Sequence, residues 1–239
     1  MKYKRIILCF LIANILSATV HAQKLKVENL PKFDTKWIHF GFSLGFNSTD
    51  FIIHPVSDFN TFDTLRVIES EKKPGFNLGI ISDLHLGSHF NLRFLPALSF
   101  AQRNLEYTYS RGDTFNYTKV KPVESTFLEF PLNLKYRSAR VNNFAAYVLG
   151  GVKYSIDLAS QKDVDNAFSD EVVVKLRKHD YSYEMGFGLD FFLEYFKFSP
   201  ELKVSFGVRD LLIHDNTQYS DPLRKLNSRI LLISLNFEG

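Results

Sequence analysis

The sequence predicts an all-β protein, an eight-stranded antiparallel up-and-down barrel that crosses a membrane with strands. Three observations carry this expectation. Apolar residues recur at every second position over long stretches, which puts one side-chain set on each face of a strand. Beyond residue 22 no apolar run approaches the ~20 residues that a helix needs to span a bilayer. The connections between the alternating stretches run long, short, long, short, long, short, long. Transmembrane barrels have this asymmetry, with short turns at one end and long loops at the other.

Residues 1–22 read as a secretory signal peptide. Lys2, Lys4 and Arg5 form a basic head, 6–18 is an apolar run, and Val20, His21 and Ala22 put small residues at the cleavage positions, before Gln23. The only Cys, Cys9, lies inside that run, so the mature chain has no thiol and no disulfide framework. The formal net charge of +3 also resides there. Without those three cations the mature chain is neutral, and no nucleic-acid partner is expected. Residues 23–36, polar and containing Pro31, read as a periplasmic N-terminal arm, and 37–239 as the barrel.

The first strand is 37–47. There Ile38, Phe40, Phe42, Leu44 and Phe46 oppose His39, Gly41, Ser43, Gly45 and Asn47. A long segment, 48–73, precedes the hairpin 76–100. In that hairpin Phe76, Leu78, Ile80, Leu84 and Leu86 share a face, as do Phe90, Leu92, Phe94, Leu98 and Phe100, and Gly87, Ser88 and His89 reverse the chain. The fourth strand, 126–137, sets Leu128, Phe130, Leu132, Leu134 and Tyr136 against Glu129, Asn133, Lys135 and Arg137.

After the short 138–143, the fifth strand, 144–157, sets Val148, Val152, Tyr154 and Ile156 against Lys153, Ser155 and Asp157. The sixth carries Tyr181, Tyr183, Met185, Phe187, Leu189 and Phe191 against Ser182, Glu184, Gly186, Gly188 and Asp190. The seventh carries Phe198, Leu202, Val204, Phe206 and Val208 against Glu201, Lys203, Ser205, Gly207 and Arg209, and 210–227 reads as loop. The eighth, 229–237, ends the chain. An even strand number puts both ends on one side, the periplasmic side.

Size decides which face points out. The interior of an eight-stranded barrel is just wide enough for side chains to fill. Gly41, Gly45, Gly79, Gly151, Gly186, Gly188 and Gly207 and the charged residues fit there, whereas the many aromatic rings of the uncharged face do not. The bulky face therefore meets lipid, with Gly150 as the exception on that face. Phe90, Tyr136, Phe144, Phe198 and Phe237 then fall near the short turns, and Phe46, Phe76, Phe100, Tyr154 and Tyr181 near the long loops, as two aromatic girdles. Pro96, Pro131 and Pro200 lie inside strands although Pro cannot donate to a ladder, so bulges or bends are expected there.

The segments GFNLGIISDLHL, FNLRFLPALSFAQRNLEY, TFLEFPLNLKYRS and AAYVLGGVKYSIDLAS, with WIHFGFSLGFNSTDF and SPELKVSFGVRDLL, resemble the PorT-like outer-membrane β-barrel proteins of Bacteroidetes over almost the whole mature chain. The resemblance implies an accessory component of the type IX protein secretion system, which exports proteins across the outer membrane and supports gliding in some species. It carries no catalytic residues with it.

The residues themselves offer little chemistry. Inward Asp83, Arg93, Glu129, Lys135, Arg137, Lys153, Glu184, Asp190, Glu201, Lys203 and Arg209 are of mixed sign and read as a pairing network that fills the lumen, because unpaired buried charge is costly. His39 and His85 face inward without ligands at metal spacing and are expected to be hydrogen-bonded interior residues. His179 with Ser182 has the residue types of an esterase site, but the two lie on opposite strand faces. The G-x-G at 186–188 lies within a strand, and GxSxG, HExxH and Walker motifs are absent.

No catalytic, cofactor or metal residue is therefore expected. In the first long segment Phe51, Ile52, Ile53, Val56, Phe59, Phe62, Leu65, Val67 and Ile68 are apolar. Either a protein partner covers them or the strands extend above the membrane. Residues 164–178 are charged and read as solvent-facing. The expectation is a non-enzymatic outer-membrane barrel, surrounded by lipid, that works by protein contact rather than as a pore. The alternatives are a stand-alone adhesin or structural barrel and, more remotely, a lipid-modifying barrel enzyme.

Overall fold

The computed structural model describes residues 28–58, 64–111, 115–160 and 172–239. The leader and residues 23–27 lie outside these. Nine strands follow a short 3-10 turn at Phe33–Thr35: β1 Ile38–Pro55, β2 Leu65–His85, β3 Phe90–Phe94, β4 Ala97–Arg111, β5 Phe115–Arg137, β6 Phe144–Asp157, β7 His179–Phe192, β8 Lys197–Gly207 and β9 Leu223–Glu238. Every pairing is antiparallel, and β1 pairs with both β2 and β9, so the sheet closes on itself. Both β3 and β4 lie between β2 and β5, and only Leu95 and Pro96 separate them. They are two halves of one strand, and the barrel is eight-stranded as expected.

Pro96 causes that interruption, and Pro131 faces the same gap, its carbonyl accepting from Leu95 N at 3.2 Å. Pro200 falls where the β7–β8 ladder skips from Gly188↔Glu201 to Phe191↔Phe198. These ladders lose hydrogen bonds without a change of register, so gaps rather than bulges accommodate the three prolines. The register shifts lie elsewhere, at His54/Pro55, Leu65/Val67 and Lys72/Phe76.

Alternation places the faces as the side-chain sizes predict. Phe46 is 70% exposed, Leu132 43% and Val152 62% on the outer wall, whereas Asp83, Lys135 and Asp190 are wholly buried. Neighbouring outer rings stack across strands, with centroids 4.6 Å apart for Phe76–Phe100 and 4.8 Å for Phe42–Phe237.

The strands reach further toward the long-loop end than the sequence reading allows. β1 runs on to Pro55, β2 begins at Leu65 and β5 at Phe115. For the described part of 48–73 the apolar residues are thus strand extension, except Val56 just past β1, with Phe51 and Leu65 buried, while Phe59 and Phe62 lie outside the described residues. Toward the long-loop end the polarity of the two faces inverts. The inward Phe51, Leu105, Tyr107 and Tyr109 are apolar and buried, as in a soluble barrel.

Candidate functional site

The lumen is filled from end to end, and its contents form successive storeys. At the short-turn end the chain entering β1 folds back as a stopper. Phe33 is buried, its ring stacked on His39 at 3.7 Å and set edge-on to Phe192 at 5.6 Å, with Lys197 Nζ 4.7 Å from the ring centroid. Asp34 pairs with Arg137 at 2.7 Å, and Asn29 bonds Asn143 and the Phe192 carbonyl. The described part of the arm is a cap on the barrel mouth rather than a free extension.

The next storey centres on Arg93. Its guanidinium donates to Asp83 at 2.9 and 3.2 Å, to Glu201 at 3.0 Å and to Glu238 at 2.8 Å. Lys197 also holds Glu238 at 2.8 Å, and Lys135 holds Asp190 at 2.9 Å. Three cations here meet four carboxylates, and neutral donors complete the set. Tyr147 Oη donates to Glu201 at 2.7 Å, Asn91 to Asp83 at 2.7 Å and Ser199 to Asp190 at 2.6 Å. Lys135 Nζ lies 3.7 Å from the centre of the Tyr147 ring.

A second polar storey joins Lys153 to Glu129 at 2.8 Å and to Glu184 at 3.4 Å, and Lys203 to Glu184 at 3.2 Å. Asn133 donates to Glu184 and Asn77 to Glu129. Above it, Arg103 sits over Phe51 at 4.0 Å and donates to Ser228 and Ser125.

The long-loop end is sealed by an apolar plug. Phe51, Leu65, Leu105, Tyr107 and Tyr109 from the extended strands pack with Val174, Leu176, Leu211, Leu212 and Tyr219 from the loops and with Leu223 and Leu226 from the start of β9. Tyr107 Oη donates to the Tyr219 carbonyl at 2.8 Å. Burial holds that phenol well above its ordinary range, and it also lifts Tyr109, to about 12. Residues 172–178 were expected to face solvent. Instead Val174 and Leu176 return into this plug, and residues 164–171 lie outside the described residues.

Of the inward charges that the sequence singles out, ten are buried in these storeys. Arg209 is not among them. It lies past the end of β8 at Gly207, partly exposed, and bonds the His179 carbonyl. Sequence reasoning missed Lys197 and Glu238, which sit at strand ends, and Arg103, which lies past the hairpin read at 76–100. It also missed Tyr147, a large ring in a lumen expected to hold small groups. Gly188 was the available signal, because a Cβ there would lie 2.4 Å from the Tyr147 ring.

The expectation for the histidines needs correction. Neither ring nitrogen of His39 has a hydrogen-bond partner, and His85 Nδ1 has none. His39 is held by stacking on Phe33 instead. His179 and Ser182 do not come together, since His179 is exposed against Tyr154 and Ser182 is buried in the lumen. Among the described residues no three His, Cys, Asp or Glu side chains converge as a metal site.

An enclosed cavity of about 10 Å³ lies beside the Leu95–Pro96 gap, lined by Asn77, Glu129 and Lys203 among others. It has room for about one water. The arrangement can fix a shape and exclude solvent.

This geometry, a closed antiparallel barrel with a lipid-type outer wall around a packed polar lumen, defines an outer-membrane barrel. The chain belongs to the family described as outer membrane protein beta-barrel domain, which matches residues 22–212. Membership indicates an outer-membrane location. Comparison with curated proteins returned no match.

Among solved structures the chain is similar to Neisserial surface protein A, at 10% identity and a TM-score of 0.41, covering 82% of this chain and 95% of that one. It is similar to OprG from Pseudomonas aeruginosa, at 15% identity and a TM-score of 0.41, covering 84% and 94%. It is also similar to Ail, the attachment invasion locus protein of Yersinia pestis, crystallised with the heparin analogue sucrose octasulfate, at 11% identity and a TM-score of 0.38, covering 85% and 100%.

Proposed function

We propose that this barrel is a non-enzymatic accessory component of the type IX protein secretion system, acting through protein contacts and not as a pore. The observation that carries the contact mechanism is the filled lumen. A paired network of buried charge lies between an apolar plug and the Phe33 stopper, which leaves surfaces as the working parts. The secretion assignment rests on the resemblance to PorT-like proteins. In this reading the short turns and both chain ends face the periplasm, and the extended strands rise outside the cell. Those strands also support a second reading, a stand-alone adhesin, because β2, β4 and β5 present an ordered surface beyond the membrane.

Deleting the gene and measuring the secreted proteins separates the two. Loss of many unrelated exported proteins is expected from the secretion role. Unchanged secretion with reduced surface attachment points to the adhesin. A shift in lipid A mass on deletion is the outcome that an enzyme would give.

A further inference from the structure

β5 outruns its neighbour. β6 ends at Asp157, opposite Phe127, whereas β5 begins at Phe115. Residues 115–125 are therefore paired in the ladder with β4 alone among the described residues. Thr126 shows which backbone groups face the β6 side, where among the described residues no strand pairs with 115–125. Its N–H donates to Asp157 Oδ1 at 3.3 Å and its carbonyl accepts from Leu158 N at 2.7 Å, both toward β6. The β4–β5 register runs without a shift from Arg111↔Phe115 to Ala97↔Glu129. The groups of Glu124, Pro122, Val120, Thr118 and Asn116 consequently face the same way, since alternate residues of a strand share a direction.

Pro122 has no N–H to offer there, and proline and lysine on an edge limit indiscriminate pairing. What remains is a short template, 116–120, with N–H and C=O groups at Asn116, Thr118 and Val120.

We propose that this edge is a docking site for an extended acidic segment of a different protein, which adds to β5 as a further strand; the proposal rests on the contact-based reading above. Main-chain bonds supply affinity in such additions, and alternate side chains supply choice. The two faces of the template differ in charge. On one, Tyr117 stacks on Tyr109 with centroids 5.4 Å apart, and Lys119 Nζ lies 6.0 Å from the Tyr109 ring, with no carboxylate in salt-bridge range among the described residues. On the other, Asn116, Thr118 and Val120 are uncharged, and Val120 is 45% exposed.

A strand laid on this edge therefore meets a cation at one set of positions and neutral or apolar groups at the next. The complementary sequence alternates acidic and apolar residues. A second copy of this chain does not fit. Copies in one membrane are related by an axis along its normal. Barrel strands tilted by ~35–45° would then cross at about 70–90° rather than pair.

The test uses the mature full-length barrel in lipid nanodiscs and fluorescein-labelled octapeptides read by anisotropy. Alternating valine and glutamate is expected to bind at least ~10-fold more tightly than alternating valine and lysine, or than four valines followed by four glutamates. Val120→Pro removes one edge N–H without touching the β4 ladder, and it is expected to abolish binding while heat-modifiable mobility of the folded barrel is retained. Lys119→Glu should reverse the preference between acidic and basic peptides. The proposal is overturned by no binding of the alternating acidic peptide, or by equal binding to Val120→Pro. Photocross-links from a benzophenone at Asn116 to this chain's own residues would also overturn it. Peptide binding with secretion intact after gene deletion would keep the edge and reject the secretion role, and the converse pair of results would do the opposite.

Discussion

Arg93→Met is the sharpest test of the lumen. Among the described residues Arg93 is the one cation that touches Asp83, Glu201 and Glu238 together, and none of the four side chains is more than 1% exposed. Removing one partner of a buried pair costs ~3–5 kcal/mol, because the other charge stays desolvated and unpaired. Three stranded carboxylates do not triple this figure here. Lys197 still holds Glu238, Tyr147 still donates to Glu201 and Asn91 to Asp83. We expect a loss of ~3–5 kcal/mol, a large part of the 5–15 kcal/mol that typically holds a domain together.

The single Trp of the chain, Trp37, stands 70% exposed at the short-turn end and reports folding into detergent or vesicles by its fluorescence during urea titration. Adding Asp83→Asn to Arg93→Met should recover ~0.5–3 kcal/mol, the range of coupling between residues in contact. If Arg93→Met does not fold, Arg93→Lys, which reaches fewer of the carboxylates, should show an intermediate loss. A loss below ~1 kcal/mol, or a double variant as unstable as the two single losses summed, would refute the network as a source of stability.

Three further outcomes follow from the same geometry. Leu132→Arg, on the outer wall, should cost ~2–4 kcal/mol if that side chain lies at mid-bilayer, read by the same titration; a cost near zero would undo the assignment of faces. Gly188→Ala should destabilise measurably, because the new methyl meets the Tyr147 ring, whereas Gly150→Ala should be tolerated, since its Cβ would meet only the Glu184 carbonyl at 3.7 Å. Phe33→Ala should cost ~3–5 kcal/mol as a buried ring is removed, yet leave planar-bilayer conductance closed, because the Arg93 storey lies behind it; an open channel would contradict the stacked closure.

The faces of the barrel were legible in the sequence because lipid and a narrow lumen impose opposite demands on alternate residues, and the glycines marked the crowded side. Strand number, the 144–157 strand and most lumen charges followed from that rule. Strand length did not. Toward the long-loop end β1 keeps its alternation with reversed polarity and β2 shifts register twice, at Lys72/Phe76 and Leu65/Val67, so Phe51 and Leu65 read as oily loop residues instead of plug. The cap of the short-turn end was also hidden, since Phe33 sits in a segment without period and nothing local announces His39 as its partner. Asn133→Ser would read as harmless from the alternation alone. The structure shows Asn133 buried and donating to Glu184, a bond to a charged group worth ~1.5–3 kcal/mol.

The apolar plug gathers Phe51 from the first strand, Leu226 from the last and Tyr107 from midway between. None of these has its full set of neighbours until the seam between β1 and β9 has shut. The lid at the long-loop end is thus a product of ring closure and not a prelude to it, and a half-assembled barrel would present those rings at that end as a sticky rim.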